Sequence, residues 1–258
     1  MNVIRIRAVL LHSWYHFTKS RETWVDIIWF PLVSVLVFGF MSQYLGEGSK
    51  VRFLLLGFLL WQVITAAQYS VTMSALWEIW GGSLSSLFIT PLTLGEFVLA
   101  QMLSASFKAL AVFAFTSGLA WLLYGTNILT LGPMLALYLL ELMVFGWSAG
   151  MFILGLILRY GTNIQSLAWG LIFVVEPLAG VFYPVDALPA ALRWLALLLP
   201  PTSVFEAARS QFTAGIVPWG LLLVGTALNA ACFLLAALFL WRMFHRAKES
   251  GMFAKLEG

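Results

Sequence analysis

Charged residues are scarce in this sequence. Only 10% of its 258 residues are charged, while 62% are hydrophobic and the mean hydropathy is +0.95. Soluble globular domains carry roughly 25% charged residues, so the composition excludes that class. The apolar runs are long and continuous rather than alternating, which favours membrane-spanning helices over a barrel. The sequence therefore predicts an all-α membrane protein.

Cysteine, histidine and phosphate-binding motifs are also sparse. The single cysteine, Cys232, lies in an apolar run and cannot form an intrachain disulfide. No lysine follows a glycine, so the chain has no P-loop with which to hold ATP phosphates. The net charge of +3 is explained by basic cytosolic loops and calls for no nucleic-acid partner. We expect no cofactor to be bound by this chain.

One short motif imitates an enzyme signature. Gly146-Trp147-Ser148-Ala149-Gly150 matches the G-x-S-x-G pattern of serine hydrolases. The only histidines, His12, His16 and His245, stand near the chain ends, far from that serine, so it has no base. Two glycines four residues apart are more typical of closely packed helices. His12 and His16 have helical metal-ligand spacing but no third ligand nearby, so neither a catalytic nor a metal site is predicted.

Six apolar segments are long enough to cross a bilayer as helices. They are Thr23–Leu45, Arg52–Leu76, Phe97–Tyr124, Gly132–Leu158, Ile164–Phe182 and Pro218–Trp241. Six spans place both termini on one side of the membrane. With the termini inside, nine basic residues are cytosolic: Arg5, Arg7, Lys19, Arg21, Arg159, Arg242, Arg246, Lys248 and Lys255. Four are external, namely Lys50, Arg52, Arg193 and Arg209. Because basic residues concentrate in cytoplasmic loops, this distribution predicts a multi-pass membrane protein with both termini cytoplasmic.

Residues 1–22 precede the first span and combine two helical stripes. One stripe is apolar (Ile4, Ala8, Leu11 and Tyr15), and the other is basic (Arg5, His12, His16 and Lys19). This pattern predicts an N-terminal interfacial amphipathic helix in the cytosolic headgroup layer.

The longest polar interruption in the first half is the segment 77–96. Trp80, Leu84, Leu87 and Phe88 recur at helical spacing, while glycines and serines fill the opposite side. Pro91 ends this stretch, and Thr93 with Glu96 predicts a capping box for the next helix. From spacing alone, a short amphipathic surface helix and an ordinary loop fit equally well.

A second irregular region covers residues 183–217. Four prolines, Pro184, Pro189, Pro200 and Pro201, bracket an apolar run that is too short to cross a membrane. Ser203 and Glu206 have capping-box spacing and predict the start of a second short helix. Together these features predict an external re-entrant helical hairpin before the last span.

Polar residues inside the spans form two stripes. The second span carries Gln62, Thr65, Tyr69 and Thr72, and the fifth carries Gln165, Ser166, Trp169, Phe173 and Glu176. Two interpretations explain these stripes equally well: the polar side chains form hydrogen bonds between packed helices, or they line a transport pathway. Lys108 and Glu141 fall near mid-depth on the third and fourth spans, so we predict an intramembrane ion pair that acts as a structural lock. Glu176 has no evident basic partner.

The order of these parts resembles the type-2 ABC exporter permease family over nearly the whole chain. The most specific local matches are the segment from Glu78 to Glu96 with Ser-Leu-Phe-Ile-Thr-Pro-Leu-Thr, and Phe182-Tyr183-Pro184-Val185 followed by Leu199-Pro200-Pro201-Thr202 and Glu206-Ala207-Ala208-Arg209. The resemblance implies a single permease domain, residues 1–258, that dimerises and binds two copies of a separate ATPase carrying ATP and Mg²⁺. It further implies that 77–90 is the helix that couples to the ATPase, through Trp77, Glu78, Trp80, Leu84, Leu87 and Phe88. The second and fifth spans would line the pathway.

The expected function is therefore that of a non-enzymatic permease subunit of an ATP-driven exporter, surrounded by membrane lipids. Length and the interfacial helix are similar to the polysaccharide- and drug-exporting branches, which implies a lipid-linked glycan, a lipid or a drug-like amphiphile as cargo. The alternative is an ion-coupled secondary transporter that uses Lys108, Glu141 and Glu176 as its relay. No internal inverted repeat supports that alternative.

Overall fold

A computed structural model describes residues 1–20, 24–44 and 48–251, which form helices joined by turns, with no strand among them. The predicted all-α class is confirmed. The helices are α1 (Val3–Lys19), α2 (Phe30–Tyr44), α3 (Gly48–Trp80), α4 (Leu84–Ile89), α5 (Leu94–Tyr124), α6 (Met134–Tyr160), α7 (Leu167–Gly170), α8 (Ile172–Leu178), α9 (Ala190–Leu197), α10 (Pro200–Ala214) and α11 (Trp219–Glu249).

Four helices among the described residues are long and apolar enough to cross a membrane. They are Phe53–Trp80 within α3, Leu94–Tyr124, Met134–Ile164 and Trp219–Glu249. Shorter apolar helices, Phe30–Met41 and Leu167–Leu178, occupy the positions of the first and fifth predicted spans. The protein is thus a multi-pass membrane protein, and its six-span topology stays a prediction. Thr23 and Leu45, the predicted ends of the first span, lie outside the described residues.

The two shorter segments are irregular for local reasons. A π-helical turn, Val25–Trp29, comes directly before α2, which contains Pro31. Proline lacks the N–H that would continue the regular ladder, so an irregular turn is expected beside it. Gly161 ends α6 with a φ of +77°, and the fifth segment begins as a 3-10 turn, Gly161–Ile164. Pro177 lies within α8 and interrupts the ladder again.

The core of the bundle forms where α3 packs along α5 and α6, and where α6 packs along α11. A Cβ atom placed on Gly146 would lie 2.8 Å from the Cβ of Ala67, and one on Gly150 would lie 2.8 Å from that of Val71. Only glycine lets the two backbones approach this closely. The hydroxyl of Ser148 donates to the carbonyl of Val144 within the same helix (2.8 Å). The helix-packing interpretation of this motif is confirmed.

The amphipathic N-terminal helix α1 lies along α5. Val9 and Phe17 are buried against the bundle, whereas Ile4, Leu11 and Tyr15 of the predicted apolar stripe are exposed. The side chain of His16 lies outside the described part of the structure. An exposed apolar stripe beside the bundle is what a helix at the membrane surface presents to lipid.

Candidate functional site

The segment 77–96 connects α3 to α5 through a closed turn. Gly82 adopts a left-handed φ of +62°, which glycine adopts without strain, and it reverses the chain after Trp80. The hydroxyl of Ser83 then donates to the carboxylate of Glu78, which holds the start of α4 against the end of α3. The capping box predicted at Thr93 and Glu96 is present: each side chain accepts a backbone N–H of the other residue, at 3.3 and 3.0 Å.

The apolar face of α4 packs on the protein itself. Leu84 is fully buried, and the ring of Phe88 lies 5.7 Å from Phe97 and 4.9 Å from Phe244 of α11. Leu87 is half-buried against the same cluster. Leu84 is therefore not available to a partner protein, whereas Leu87 and Phe88 are only half-buried and their contact with a partner stays a prediction.

The outward surface of the segment is different from the predicted one. Trp80 is 46% exposed and Ile89 is 85% exposed, and glycines and polar residues surround them. Trp77 is half-buried, with its ring edge-on to Trp80 at 5.3 Å, and Glu78 is buried. We call Trp80, Gly81, Gly82, Ser86, Ile89 and Thr90 the coupling surface; all six are exposed.

The sequence pattern did not single out Ile89, because it placed Trp80, Leu84, Leu87 and Phe88 on one face of a helix over residues 77–90. The Gly81-Gly82 turn breaks that helical register, so Trp80 and α4 belong to different elements. Within α4, Ile89 lies four residues after Ser85 and shares its side of the helix. The sequence did contain one indication of this exposed residue, since Ile89 is an apolar residue on the helix face that otherwise carries serines.

Helix α1 is attached to this segment by two acidic residues. The backbone N–H of Asn2 donates to Glu96 Oε1 (2.7 Å), and Arg5 Nη1 lies 3.6 Å from Glu96 Oε2. Arg5 also donates to the carbonyl of Pro91. About two helical turns after Arg5, His12 contributes a further contact: its Nδ1 lies 3.5 Å from Glu78 Oε1. We call these contacts the α1 latch, which joins the basic stripe of α1 to both ends of the segment.

A cavity of about 520 Å³ lies between α2, α3 and the fifth segment. Six of the nine predicted pathway residues line it: Gln62, Thr65, Tyr69, Trp169, Phe173 and Glu176. Aromatic rings from Phe38, Phe58 and Trp61 complete much of the wall. No ion pair of Glu176 exists within the described ranges. The two polar stripes therefore meet at one mixed polar and aromatic cavity.

The remaining three residues of the stripes do not line this cavity. Thr72 is fully buried and accepts a hydrogen bond from Gln68 Nε2 (2.9 Å). The same amide donates to the carbonyl of Ala168 (3.1 Å) and so ties α3 to α7. Gln165 is half-buried and Ser166 is exposed beyond the cavity. Thr72 therefore belongs to a hydrogen-bonded contact between α3 and α7, as expected of polar residues that hold helices together.

The predicted ion pair between Lys108 and Glu141 is not formed. The carboxyl group of Glu141 accepts from the hydroxyl of Thr226 (2.7 Å) and the amide of Asn229 (2.6 Å), both on α11. Lys108 faces α1, with its Nζ 5.8 Å from the ring of Phe17. The predicted pair rested on similar depth along two spans, and depth does not determine which neighbouring helix a side chain faces.

This arrangement also bears on the ion-coupled alternative. Lys108 lies against α1, Glu141 against α11 and Glu176 in the cavity, so the three groups face different elements. A proton or ion relay needs its groups within hydrogen-bonding reach or linked by water. The alternative is not favoured.

The region 183–217 consists of a 3-10 turn, Val185–Ala187, followed by α9 and α10. Helix α10 begins at Pro200, so the capping box predicted at Ser203 is wrong; the Ser203 hydroxyl donates to the carbonyl of Pro200 instead. Arg209 is 5% exposed and donates to the carbonyls of Gly180, Val181 (2.8 Å) and Tyr183 (3.0 Å). The carboxylate of Glu206 forms an ion pair with Arg209 (2.9 Å) and accepts a hydrogen bond from the N–H of Val185 (3.0 Å). This ion pair stabilises the turn that follows α8.

Comparison with known proteins agrees with this architecture. No curated protein matches the chain significantly. The model of the family described as ABC-2 type transporter matches residues 5–213, which are 209 of the 258 residues. The match begins in α1 and ends in α10, so it includes the coupling surface, the cavity and the latch residues Arg5 and His12, but not Asn2. The chain therefore belongs to the ABC-2 type transporter family, as a membrane-spanning permease subunit that does not itself carry the ATPase.

Proposed function

We propose that this permease works as an exporter in a bacterial inner membrane, with six spans and both termini in the cytoplasm. Two copies of the chain form the pathway, and two copies of a separate ATPase bind ATP and Mg²⁺ beneath them. The cargo is a lipid-linked glycan, a lipid or a drug-like amphiphile. The observation that carries the proposal is the coupling surface, an exposed patch held between two membrane-spanning helices.

The connection of that surface to the rest of the permease supports this function. Helix α3 runs without interruption for 33 residues, from Gly48 to Trp80. At about 1.5 Å per residue it is about 50 Å long. Gln62, Thr65 and Tyr69 lie on the same helix and line the cavity. A partner that displaces Trp80 would therefore move the cavity wall as well, because a packed helix transmits displacement along its axis.

The coupling surface has the features of a docking site for a protein. Trp80 and Ile89 expose large apolar side chains, and an aromatic anchor is typical of interface hot spots. The surrounding glycines and polar side chains would form the rim. Because α4 is packed on α5 and α11, the surface is already ordered before the ATPase binds, which lowers the entropic cost of association.

Ile89→Asp tests the coupling directly. Loss of an apolar hot spot and burial of an unpaired charge should weaken ATPase binding by about 2–4 kcal/mol, at least a tenfold loss of affinity. The measurement is co-purification of the ATPase with tagged permease, together with the amount of permease in the membrane. Ile216→Asp is the matched control, since Ile216 is 63% exposed and lies after α10, in the region predicted to be external. Normal ATPase recovery with Ile89→Asp would contradict the proposal.

Glu176→Gln tests the pathway. Glu176 lines the cavity and has no ion pair among the described residues, so its neutral isostere should fold normally. Export should nevertheless change, because the substitution removes an acidic group from a wall that the cargo contacts. Lipid and surface-glycan profiles of a strain lacking the gene, complemented with each variant, provide the measurement. Glu249→Gln, at the end of α11, is the control. Unchanged profiles would remove Glu176 from the pathway.

A further inference from the structure

A second cavity differs from the proposed pathway in position and chemistry. It has a volume of about 610 Å³ and lies between α6, α8 and α11. Its walls are apolar, with Phe145, Phe152, Val175, Leu235 and Phe239 among them. Ser148 also lines it, but its hydroxyl is committed to the carbonyl of Val144. The volume falls within the range of small-molecule sites, and the lining suits a hydrocarbon chain rather than a polar cargo.

The length and direction of this groove match one leaflet of a membrane. Cys232 and Arg242 both line the groove on α11. Ten residues of helix separate them, which corresponds to about 15 Å. This is half of a hydrocarbon layer about 30 Å thick. Leu235 and Val174 are more than half exposed at the groove, so the groove is open at the surface of the helix bundle.

The groove ends near three arginines on α6 and α11. Arg242 lines it, Arg246 follows one turn later on α11, and Arg159 lies in the last turn of α6. None of the three has an ion pair with a carboxylate among the residues that the structure describes. A guanidinium group binds phosphate oxygens in a bidentate manner, and arginine at the end of a span reaches the headgroup layer.

We propose that this groove is a binding site for one anionic phospholipid, with an acyl chain between α6, α8 and α11 and the phosphate at Arg242. A second copy of the permease fits less well. In a dimer whose axis is normal to the membrane, two unpaired Arg242 side chains would face each other at the same depth, and like charges disfavour such contact. The site lies apart from the coupling surface, and it shares the wall residue Ile172 with the cavity that contains Glu176.

The test uses the purified permease in lipid nanodiscs and requires neither transport nor an ATPase, so it can fail independently of the proposed function. The probe is a phosphatidylglycerol with a photoactivatable diazirine near the end of one acyl chain, compared with the matching phosphatidylcholine. Cross-links of the phosphatidylglycerol should map to 145–153 and to the region around Cys232. Labelling by the phosphatidylcholine should be several-fold weaker.

Arg242→Gln should reduce phosphatidylglycerol labelling by about tenfold, the loss expected from a hydrogen bond to a charged group. Arg242→Lys keeps the charge and should retain most of it. Lys248→Gln, which removes a charge from the same helix end outside the groove, should leave labelling unchanged. Equal labelling by both lipids, or full labelling of Arg242→Gln, would overturn the proposal. So would an oxidised Cys232–Cys232 cross-link between two copies, because it would show that a second permease covers the groove.

Discussion

At the scale of single residues, the partners of Glu141 explain how an acidic side chain is accommodated inside the bundle. Glu141 is 8% exposed and Asn229 is 2% exposed. The Asn229 amide donates both to the carboxyl group and to the carbonyl of Glu141 (2.6 and 2.7 Å), while Thr226 donates to the second carboxyl oxygen. A buried acid is tolerated when its oxygens are bonded in this way. These contacts join α6 to α11.

Double-mutant cycles should show whether Glu141 interacts with Asn229, as in the structure, or with Lys108, as the sequence suggested. Asn229→Leu should destabilise the protein by about 1–3 kcal/mol, because it leaves polar atoms of Glu141 without a donor. Glu141→Gln and Asn229→Leu should be coupled by at least about 1 kcal/mol, whereas Glu141→Gln and Lys108→Met should be additive within about 0.5 kcal/mol. Thermal unfolding of the purified protein in detergent gives these values. If the coupling energy between Glu141 and Lys108 were larger than that between Glu141 and Asn229, the ion-pair prediction would be supported instead.

At the scale of elements, the six-residue helix α4 shows how packing assigns the two faces of a short helix. Its spacing is amphipathic, and a sequence pattern cannot say whether the apolar face meets a partner or the chain itself. Leu84 is buried, which shows that this part of the apolar face packs on the permease itself. Ile89 is exposed on the surface. The α1 latch adds a second attachment, because Arg5 reaches Glu96 and the carbonyl of Pro91. The coupling surface is therefore supported from both sides.

Arg5→Gln should loosen α1 without unfolding the bundle. The Arg5 side chain is 38% exposed, so its contacts contribute only about 1 kcal/mol. A loss of that size should speed amide hydrogen exchange in α1 about fivefold. Hydrogen–deuterium exchange of the peptides that cover residues 3–19 measures the effect. Arg7→Gln is the control, since Arg7 is exposed on the same helix. Equal exchange in both variants would show that the latch contributes nothing to the position of α1.

At the scale of the whole molecule, the arrangement in the membrane follows from charge and from helix length. Four long apolar helices are present among the described residues, with shorter ones in the two remaining positions. The helical backbone from 24 to 44 runs without a break, and 21 residues are about 30 Å long. That length is enough for a fifth crossing when the π-helical turn is included, and a sixth crossing by the shorter segment Leu167–Leu178 stays a prediction. The distribution of lysine and arginine predicts the orientation, with both termini in the cytoplasm.

Cysteine labelling in intact cells tests this orientation. In a Cys232→Ala background, Ala187→Cys should react with an impermeant thiol reagent from outside. Ser86→Cys, on the coupling surface, should react only after the cells are permeabilised. Both positions are exposed in the structure, so accessibility of the side chain does not limit either reaction. The reverse pattern would invert the orientation, and labelling of both in intact cells would exclude six spans.

The sequence by itself determined the class, the order of the parts and the most local contacts. Composition and run length are properties of the linear chain, and the bonds between Thr93 and Glu96 join residues three apart, so no knowledge of other helices was needed. The close approach at Gly146 and Gly150 was also foreseeable, because glycine spacing is itself the signal. The irregular fifth segment follows from Gly161 and Pro177, although its pattern was read as one span.

Only the tertiary structure decided which surfaces meet. The partners of Glu141 come from 85 and 88 residues further along the chain, and Arg209 bonds to carbonyls up to 29 residues away. Apolar helices present nearly equivalent surfaces on all sides, so spacing along one helix does not select its neighbour. The same reason explains why Leu84 was assigned to a partner although it is fully buried in the bundle. Neighbour choice depends on how whole helices pack, and that information is absent from any single segment.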